Sequence, residues 1–179
     1  TDPALITDVF PDARWELHDQ KWYLVVYTDG SAHNPEHKLT SRAGWAVWYS
    51  TGSPYNLYAP LRGLIQTSYK AEARALLHIV RTAGIPTTIK CDCKSVVDTF
   101  NNILGDPNFN LDSCADGDVW RTIASLLAAA PAGFYRCQWI PGHLGDPEHP
   151  NYAKRDGYLK NGTVTELDIQ GNKEADRLA

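Results

Sequence analysis

The run from residue 22 to residue 28 is almost unbroken in apolar and β-branched side chains, and it stops abruptly at Asp29, Gly30 and Ser31. A strand with no polar face has to be covered on both sides, so this segment predicts a central strand of a sheet sandwiched between other elements. Residues 44–49 and 55–61 are two further strand-like segments, separated by the turn-forming stretch 50–54. Together they predict a meander of three antiparallel strands. The twenty residues before this unit mix Pro, Asp and isolated hydrophobics without periodicity, and read as an N-terminal arm or linker over 1–21.

From residue 68 to residue 83 the period changes. Ala75, Leu76, Ile79, Val80 and Ala83 make a helical stripe, with Lys70, Arg74 and Arg81 mostly off it, and Gly84 and Pro86 end the helix. A short strand over 87–91 leads into a helix carrying Val96, Val97, Phe100, Ile103 and Leu104. Residues 105–117 read as a loop. Val119, Trp120, Ile123, Leu126 and Leu127 mark another helix, and a fifth strand follows over 134–140. Three strands, then alternating helices and strands, then a last helix, predict an α/β fold: a mixed five-stranded sheet, strands 1–3 antiparallel, flanked by helices. Residues 141–171 are polar, rich in turn formers and read as one long loop, with an insertion over 144–170.

At 179 residues, 43% apolar and 21% charged, the chain can bury one core, so a single domain over 22–179 is expected. No stretch approaches the ~20 apolar residues of a membrane span, and the first residues lack a signal peptide's pattern. A soluble, intracellular protein, cytoplasmic or nuclear and not secreted, is the expectation. The chain neither begins with Met nor contains one, and is read as a piece of a longer polyprotein or an engineered sequence. Four cysteines are too few and scattered for a disulfide framework, and Cys91 and Cys93 lack the spacing and the second ligand pair of a structural zinc site.

Glu72 is the most informative single residue. It lies four, seven and eight positions before Leu76, Ile79 and Val80, on the buried stripe of its helix. A carboxylate there is costly unless it is paired with a cation, either an Arg side chain or a metal. Asp29 and Asp92 each end a predicted core strand, and if those strands are neighbours the three acids converge. Clustered carboxylates repel one another, whereas hard divalent ions such as Mg²⁺ favour all-oxygen ligands; two such ions clamp the attacking and leaving oxygens of a phosphoryl transfer. The constellation points to phosphodiester cleavage.

Five motifs in order, Tyr27-Thr28-Asp29-Gly30-Ser31, Ala71-Glu72-Ala73, Cys91-Asp92, Trp139-Ile140-Pro141-Gly142-His143 and Gly171-Asn172-Lys173-Glu174-Ala175-Asp176, resemble those of type 1 ribonuclease H. The resemblance runs from Trp22 to Ala179. It implies the ribonuclease H-like fold, with Asp29, Glu72, Asp92 and Asp176 as ligands of two Mg²⁺ (or Mn²⁺) and His143 assisting proton transfer or product departure. The implied reaction is hydrolysis of the RNA strand of an RNA/DNA hybrid, leaving a 5′ phosphate, without an organic cofactor. Ser31, Asn34, Thr67, Ser68 and Tyr69 resemble the family's substrate-contacting residues, although each suits a cap or turn equally well.

The segment between His143 and Asp176 is longer than usual for the family, which leaves Asp146, Asp156 and Asp168 as competitors for the fourth ligand. Asp92 is followed by Cys where Ser is more usual. The net charge is -4; if four acids hold metal, the rest of the surface is neutral, and weak, metal-dependent hybrid binding is expected. Residues 103–120 carry no basic cluster, so affinity is expected from another domain. The implied setting is a retroelement reverse transcriptase with an upstream polymerase domain. The alternatives are a free-standing cellular ribonuclease H and a non-catalytic connection or protein-binding module. The related integrases and transposases explain the C-terminal motif less well.

Overall fold

The computed structural model describes residues 12–37 and 39–179. Its sheet has six strands: β1 (Trp15–His18), β2 (Lys21–His33), β3 (Arg42–Trp48), β4 (Leu57–Pro60), β5 (Thr87–Cys91) and β6 (Tyr135–Trp139). The order is β4-β3-β2-β5-β6, with β1 paired to β2 off this path. β1, β3 and β4 run antiparallel to their partners, while β2, β5 and β6 are mutually parallel. The helices are α1 (Ser68–Thr82), α2 (Lys94–Gly105), α3 (Gly117–Ala129), α4 (Arg155–Lys160) and α5 (Glu166–Leu178). Among the described residues no helix is long and apolar enough to cross a membrane.

β2 is central, as its double-sided apolar run requires. Leu24 and Val26 face one core with Trp45, Ile89, Leu76, Phe100 and Trp120, while Val25 and Tyr27 face a second with Trp48, Ile140, Leu144 and Ile169. The first core lies under α1, α2 and α3, the second under α5. Period two along β2 thus sorts its side chains between two helical layers.

Three expectations change. The arm is not an arm throughout: Trp15–His18 forms β1, and the Arg14 carbonyl accepts from Val25 N at 2.8 Å. Residues 1–11 of the expected arm lie outside the described residues. β1 makes the sheet six-stranded; at four residues it was too short to show an alternating pattern. The stretch read as one loop over 141–171 contains a 3-10 turn (Pro150–Lys154), α4 and the start of α5. Pro150 is tolerated in the first turn of its segment, and six residues of α4 are too few for helical periodicity to be visible. The residues expected as a loop over 105–117 likewise include a 3-10 turn, Leu111–Ser113.

α5 is secured by a capping box, Thr165 and Asp168 exchanging bonds at 3.1 and 3.0 Å. Asp168 does more than cap. Its Oδ1 accepts from Lys90 Nζ of β5 at 2.7 Å and from the Tyr27 hydroxyl of β2 at 2.8 Å, both in the second core. Glu16 of β1 also pairs with Lys90. Burial would raise the Asp168 pKa, but the Lys90 ammonium and the donors around it hold the carboxylate below its usual range. Arg14 then ties α5 down: Nη2 donates to Gln170 Oε1 at 2.9 Å, Nη1 to the Leu167 carbonyl, and Cζ stacks 5.0 Å from the Trp48 ring. Removing one partner of such a buried pair leaves an uncompensated charge. Asp168→Asn should cost about 3 kcal/mol in urea unfolding at neutral pH. Because the folded pKa is depressed, that stabilisation is lost as pH falls through the carboxylate range, so wild type and variant should converge in acid; a constant gap would refute this role.

Candidate active site

The parallel ladder between β2 and β5 ends at Thr28 opposite Cys91, whereas β2 continues to His33 paired only with β3. Asp29 is therefore inside a strand, opposite Ala46, and not at a strand's end as expected. It is, however, the first residue beyond the ladder with β5, and Asp92 is the first residue after β5. The site occupies the opening where the two strands part, at the carboxyl ends of parallel strands.

By alternation Asp29 and Asp92 lean toward the α5 side, while Glu72 arrives from α1 on the other. Gly30 makes this possible: a Cβ there would stand 2.4 Å from Glu72 N and 2.8 Å from Ala71 C. One ligand oxygen from each of Asp29, Glu72 and Asp92 lies within 4.8 Å of the others. Asp29 and Glu72 are 6% and 4% exposed. Gly142 closes the opening from the β6 side, since a Cβ at that residue would lie 2.2 Å from Asp92 Oδ2. The Trp139 indole donates to the Asp92 carbonyl at 2.9 Å and fixes the backbone at the strand end.

Burial, reinforced by the charges of Asp92 and Asp176, pushes Asp29 up to about 7. Burial also raises Glu72 well above the carboxylate range, with Asp29 and Asp92 adding to it. Asp92 is raised by burial too, though the Asn172 amide and His143 partly offset this. Three carboxyls that resist ionising side by side, offering oxygen alone, fit a hard divalent cation such as Mg²⁺. A thiolate-based zinc site does not fit: Cys91 is buried, its thiol is raised by burial, and it donates to Glu72 Oε2 at 3.5 Å.

α5 brings Asp176 to the same opening. Asp176 is outside the tight triad, with a side chain 46% exposed, and its Oδ2 stands 3.8 Å from His143 Nδ1. Of its competitors, Asp168 is committed to Lys90, Asp146 accepts from Glu148 N within an exposed turn, and Asp156 is exposed on α4. His143 adopts a left-handed backbone (φ 60) and its ring stacks on His149 at 4.4 Å. Asn172, given no role on sequence, joins these parts: its Nδ2 donates to Asp92 Oδ2 at 3.1 Å and its Oδ1 accepts from His143 N at 3.2 Å. A signal was present, because Asn172 precedes Asp176 by four residues and shares its helix face.

The five expected substrate contacts divide. Ser31 donates to the Ala179 carbonyl at 2.8 Å, and Asn34 sits exposed in a left-handed turn (φ 50). Thr67 caps α1, accepting from Lys70 N at 3.1 Å, and Ser68 is exposed beside it. Tyr69 is turned away: its hydroxyl accepts from the Trp120 indole at 3.1 Å.

A sheet of this topology with acids converging from two strands and two helices defines a class of nuclease-like centre. The profile of the RNase H family matches residues 21–179, and the chain belongs to that family. Among solved structures it is similar to the solution structure of the PFV RNase H domain, at 24% identity and TM-score 0.55, over 87% of this chain and 90% of that one. It is also similar to a foamy viral protease-reverse transcriptase in complex with dsDNA, at 19% identity and TM-score 0.57, over 87% and 90% of the two chains. Prototype foamy virus protease-reverse transcriptase matches at 22% and TM-score 0.53, over 79% of this chain and 21% of that one. At these identities the likeness is one of fold. A search of curated proteins finds no match.

The folded pKa of Asp29, about 7, exceeds its ordinary 3.8, so the native state holds an extra proton between these values. Its destabilising contribution to the metal-free protein therefore grows as pH rises through that window and is complete above it. Asp29→Asn should raise metal-free stability above pH 7 by about 1 to 2 kcal/mol, a few degrees in the unfolding midpoint, and should gain less than the wild type when a divalent cation is added. A variant less stable than wild type in EDTA would contradict this electrostatic picture.

Proposed function

We propose that this chain hydrolyses the RNA strand of RNA/DNA hybrids by two-metal-ion catalysis, as the ribonuclease H domain of a retroelement reverse transcriptase with an upstream polymerase domain. The observation that carries the reading is the meeting of Asp29, Glu72 and Asp92 within 4.8 Å at the parting of β2 and β5. Membership of the RNase H family supports the substrate. The protease-reverse transcriptases of similar fold support the polymerase setting.

Asp29, Glu72, Asp92 and Asp176 would hold the divalent ions, two Mg²⁺ or Mn²⁺ in their place, which supply an activated water and neutralise charge developing on the scissile phosphate. The residues themselves divide the remaining work. Glu72 and Asp29, buried and close, form the rigid floor. Asp92 is aimed by Asn172 and by the Trp139 bond to its carbonyl. Asp176 and His143, half exposed and 3.8 Å apart, stand where a proton can pass between the centre and solvent. The His143 ring is positioned for this by its stack on His149 and by the Asn172 bond to its backbone. Ser31, Asn34, Thr67 and Ser68 lie on β2, the turn after it and the start of α1, the segments that meet at Gly30, and are suited to 2′-hydroxyl and backbone contacts across a shallow minor groove.

Incubating the chain with end-labelled hybrid and Mg²⁺ at low salt tests this, with duplex DNA and duplex RNA as controls. Hybrid RNA alone should be cut, to 5′-phosphate products, and Asp29→Asn or Asp92→Asn should abolish cutting. His143→Ala should slow turnover by about 10²-fold with hybrid affinity unchanged. A folded chain that shows no metal-dependent thermal shift and cuts nothing would favour the non-catalytic module instead.

A further inference from the structure

Lys70, Arg74, Leu77 and Arg81 recur at four, seven and eleven residues along α1 and so share one stripe of the helix. This stripe lines a cavity of about 710 Å³, bounded also by Trp45 and Pro60 of the sheet, Arg62 and Gly63 after β4, and Asp118, Val119 and Thr122 of α3. The cavity does not contain the carboxylate centre, and none of the groups assigned to hydrolysis lies in it.

Its charge is uncompensated. Lys70 is paired with Asp116 at 3.3 Å and Asp118 at 3.8 Å. The side chains of Arg62, Arg74 and Arg81 have no ion pair and no hydrogen bond to any described residue. Arg74 is the most demanding of the three: its Cζ sits 5.5 Å from the Trp45 ring, and its Nη1 is buried without a hydrogen-bond partner. A buried guanidinium donor left unmatched is costly unless an acceptor arrives. Burial lowers the Arg74 pKa, and Arg81 and Arg62 press it in the same direction. In a chain of net charge -4, three guanidinia without an ion pair in one cavity outnumber its single lining carboxylate, Asp118, which faces Lys70.

The complementary ligand is a phosphate-bearing strand. Guanidinium forks match phosphate oxygens in a bidentate manner. The two unpaired arginines of the stripe, Arg74 and Arg81, lie about 10 Å apart at the helical rise, too far for a single small anion and enough for about three phosphates of one strand at their axial spacing. The stripe begins within one turn of Glu72 along α1, on another face of the helix. We propose that the groove of Arg62, Arg74 and Arg81 is a phosphodiester-binding site, independent of metal, that grips one strand of the substrate at a distance from the bond cut. This inference rests on the nuclease reading above. It also supplies within this chain an affinity that residues 103–120 lack the charge to provide.

The test is binding of a fluorescent RNA/DNA hybrid to the full chain, by anisotropy in EDTA across a salt series. Arg62→Gln/Arg81→Gln removes two exposed, unpaired side chains and should leave the unfolding midpoint unchanged. It should weaken binding at low salt by at least about tenfold and reduce the slope of log affinity against log salt by about two. Adding Arg74→Gln should reduce the slope by about one more. Affinity and slope equal to wild type in the folded double variant would overturn the proposal and leave the groove to an acidic protein segment. Asp29→Asn separates the two readings. Loss of cutting with the arginine-dependent slope retained is the expected result, and a wild type that cuts hybrid while its binding ignores the arginines sinks the groove alone. If instead the wild type never cuts hybrid but binds it with this slope, the nuclease reading falls and the groove stands.

Discussion

The crowding of Asp29, Glu72 and Asp92 governs this structure more than any other contact. The three carboxyls come from β2, from the residue after β5 and from a helix on the opposite side of the sheet, and they meet in an opening where Asp29 and Glu72 are buried and Asp92 is partly so. Like charges so placed raise one another's pKa and cost stability in the absence of a cation. The surrounding backbone is arranged to make the crowding possible. Gly30 lets α1 come within van der Waals contact of β2, and Gly142 lets the turn after β6 close over Asp92. A side chain at either glycine would push a ligand out of the cluster.

The opposite end of α5 explains how Asp176 is placed. Asp176 lies two turns beyond the capping box that starts the helix, so its position depends on how that start is anchored. The anchor is polar and buried: Asp168 against Lys90 and Tyr27, with Glu16 and Arg14 completing it from the N-terminal segment. Such a network is geometrically specific where an apolar contact could slide. It connects β1, which lies far along the chain from α5, to the placement of Asp176 and Asn172, and through Asn172 to Asp92 and His143.

Charge is partitioned in the same molecule. The acidic centre sits at the parting of β2 and β5, and the unpaired arginines sit on α1 (Arg74, Arg81) and in the segment after β4 (Arg62). Both are reached from one helix, whose buried face carries Glu72 and whose other face carries Arg74 and Arg81. In a protein of net charge -4, acidic and basic groups are in this way concentrated at separate places.

Much of this was legible in the residues alone, wherever a local pattern carried the information. The bounds of β5 and nearly those of α1, the double-sided burial of β2 and the conflict of Glu72 on an apolar stripe all follow from periodicities set by backbone geometry. The order of five motifs carried the family. Local pattern failed where partners are distant in sequence. β1 is four residues whose reason for being a strand is Lys21 to Leu24; α4 is too short to declare a period. Asp168 looked like a rival ligand until Lys90, 78 residues away, was placed beside it. Asn172 and the arginine groove acquire meaning only from neighbours on other elements. Sequence by itself determined the longer, periodic elements and which acids are set against the apolar pattern, because propensity and amphipathicity act over a few residues. Tertiary structure alone decided which acids meet, that Asp168 is taken by Lys90, and where positive charge goes unpaired, because Coulomb interaction and desolvation depend on distance through space and burial.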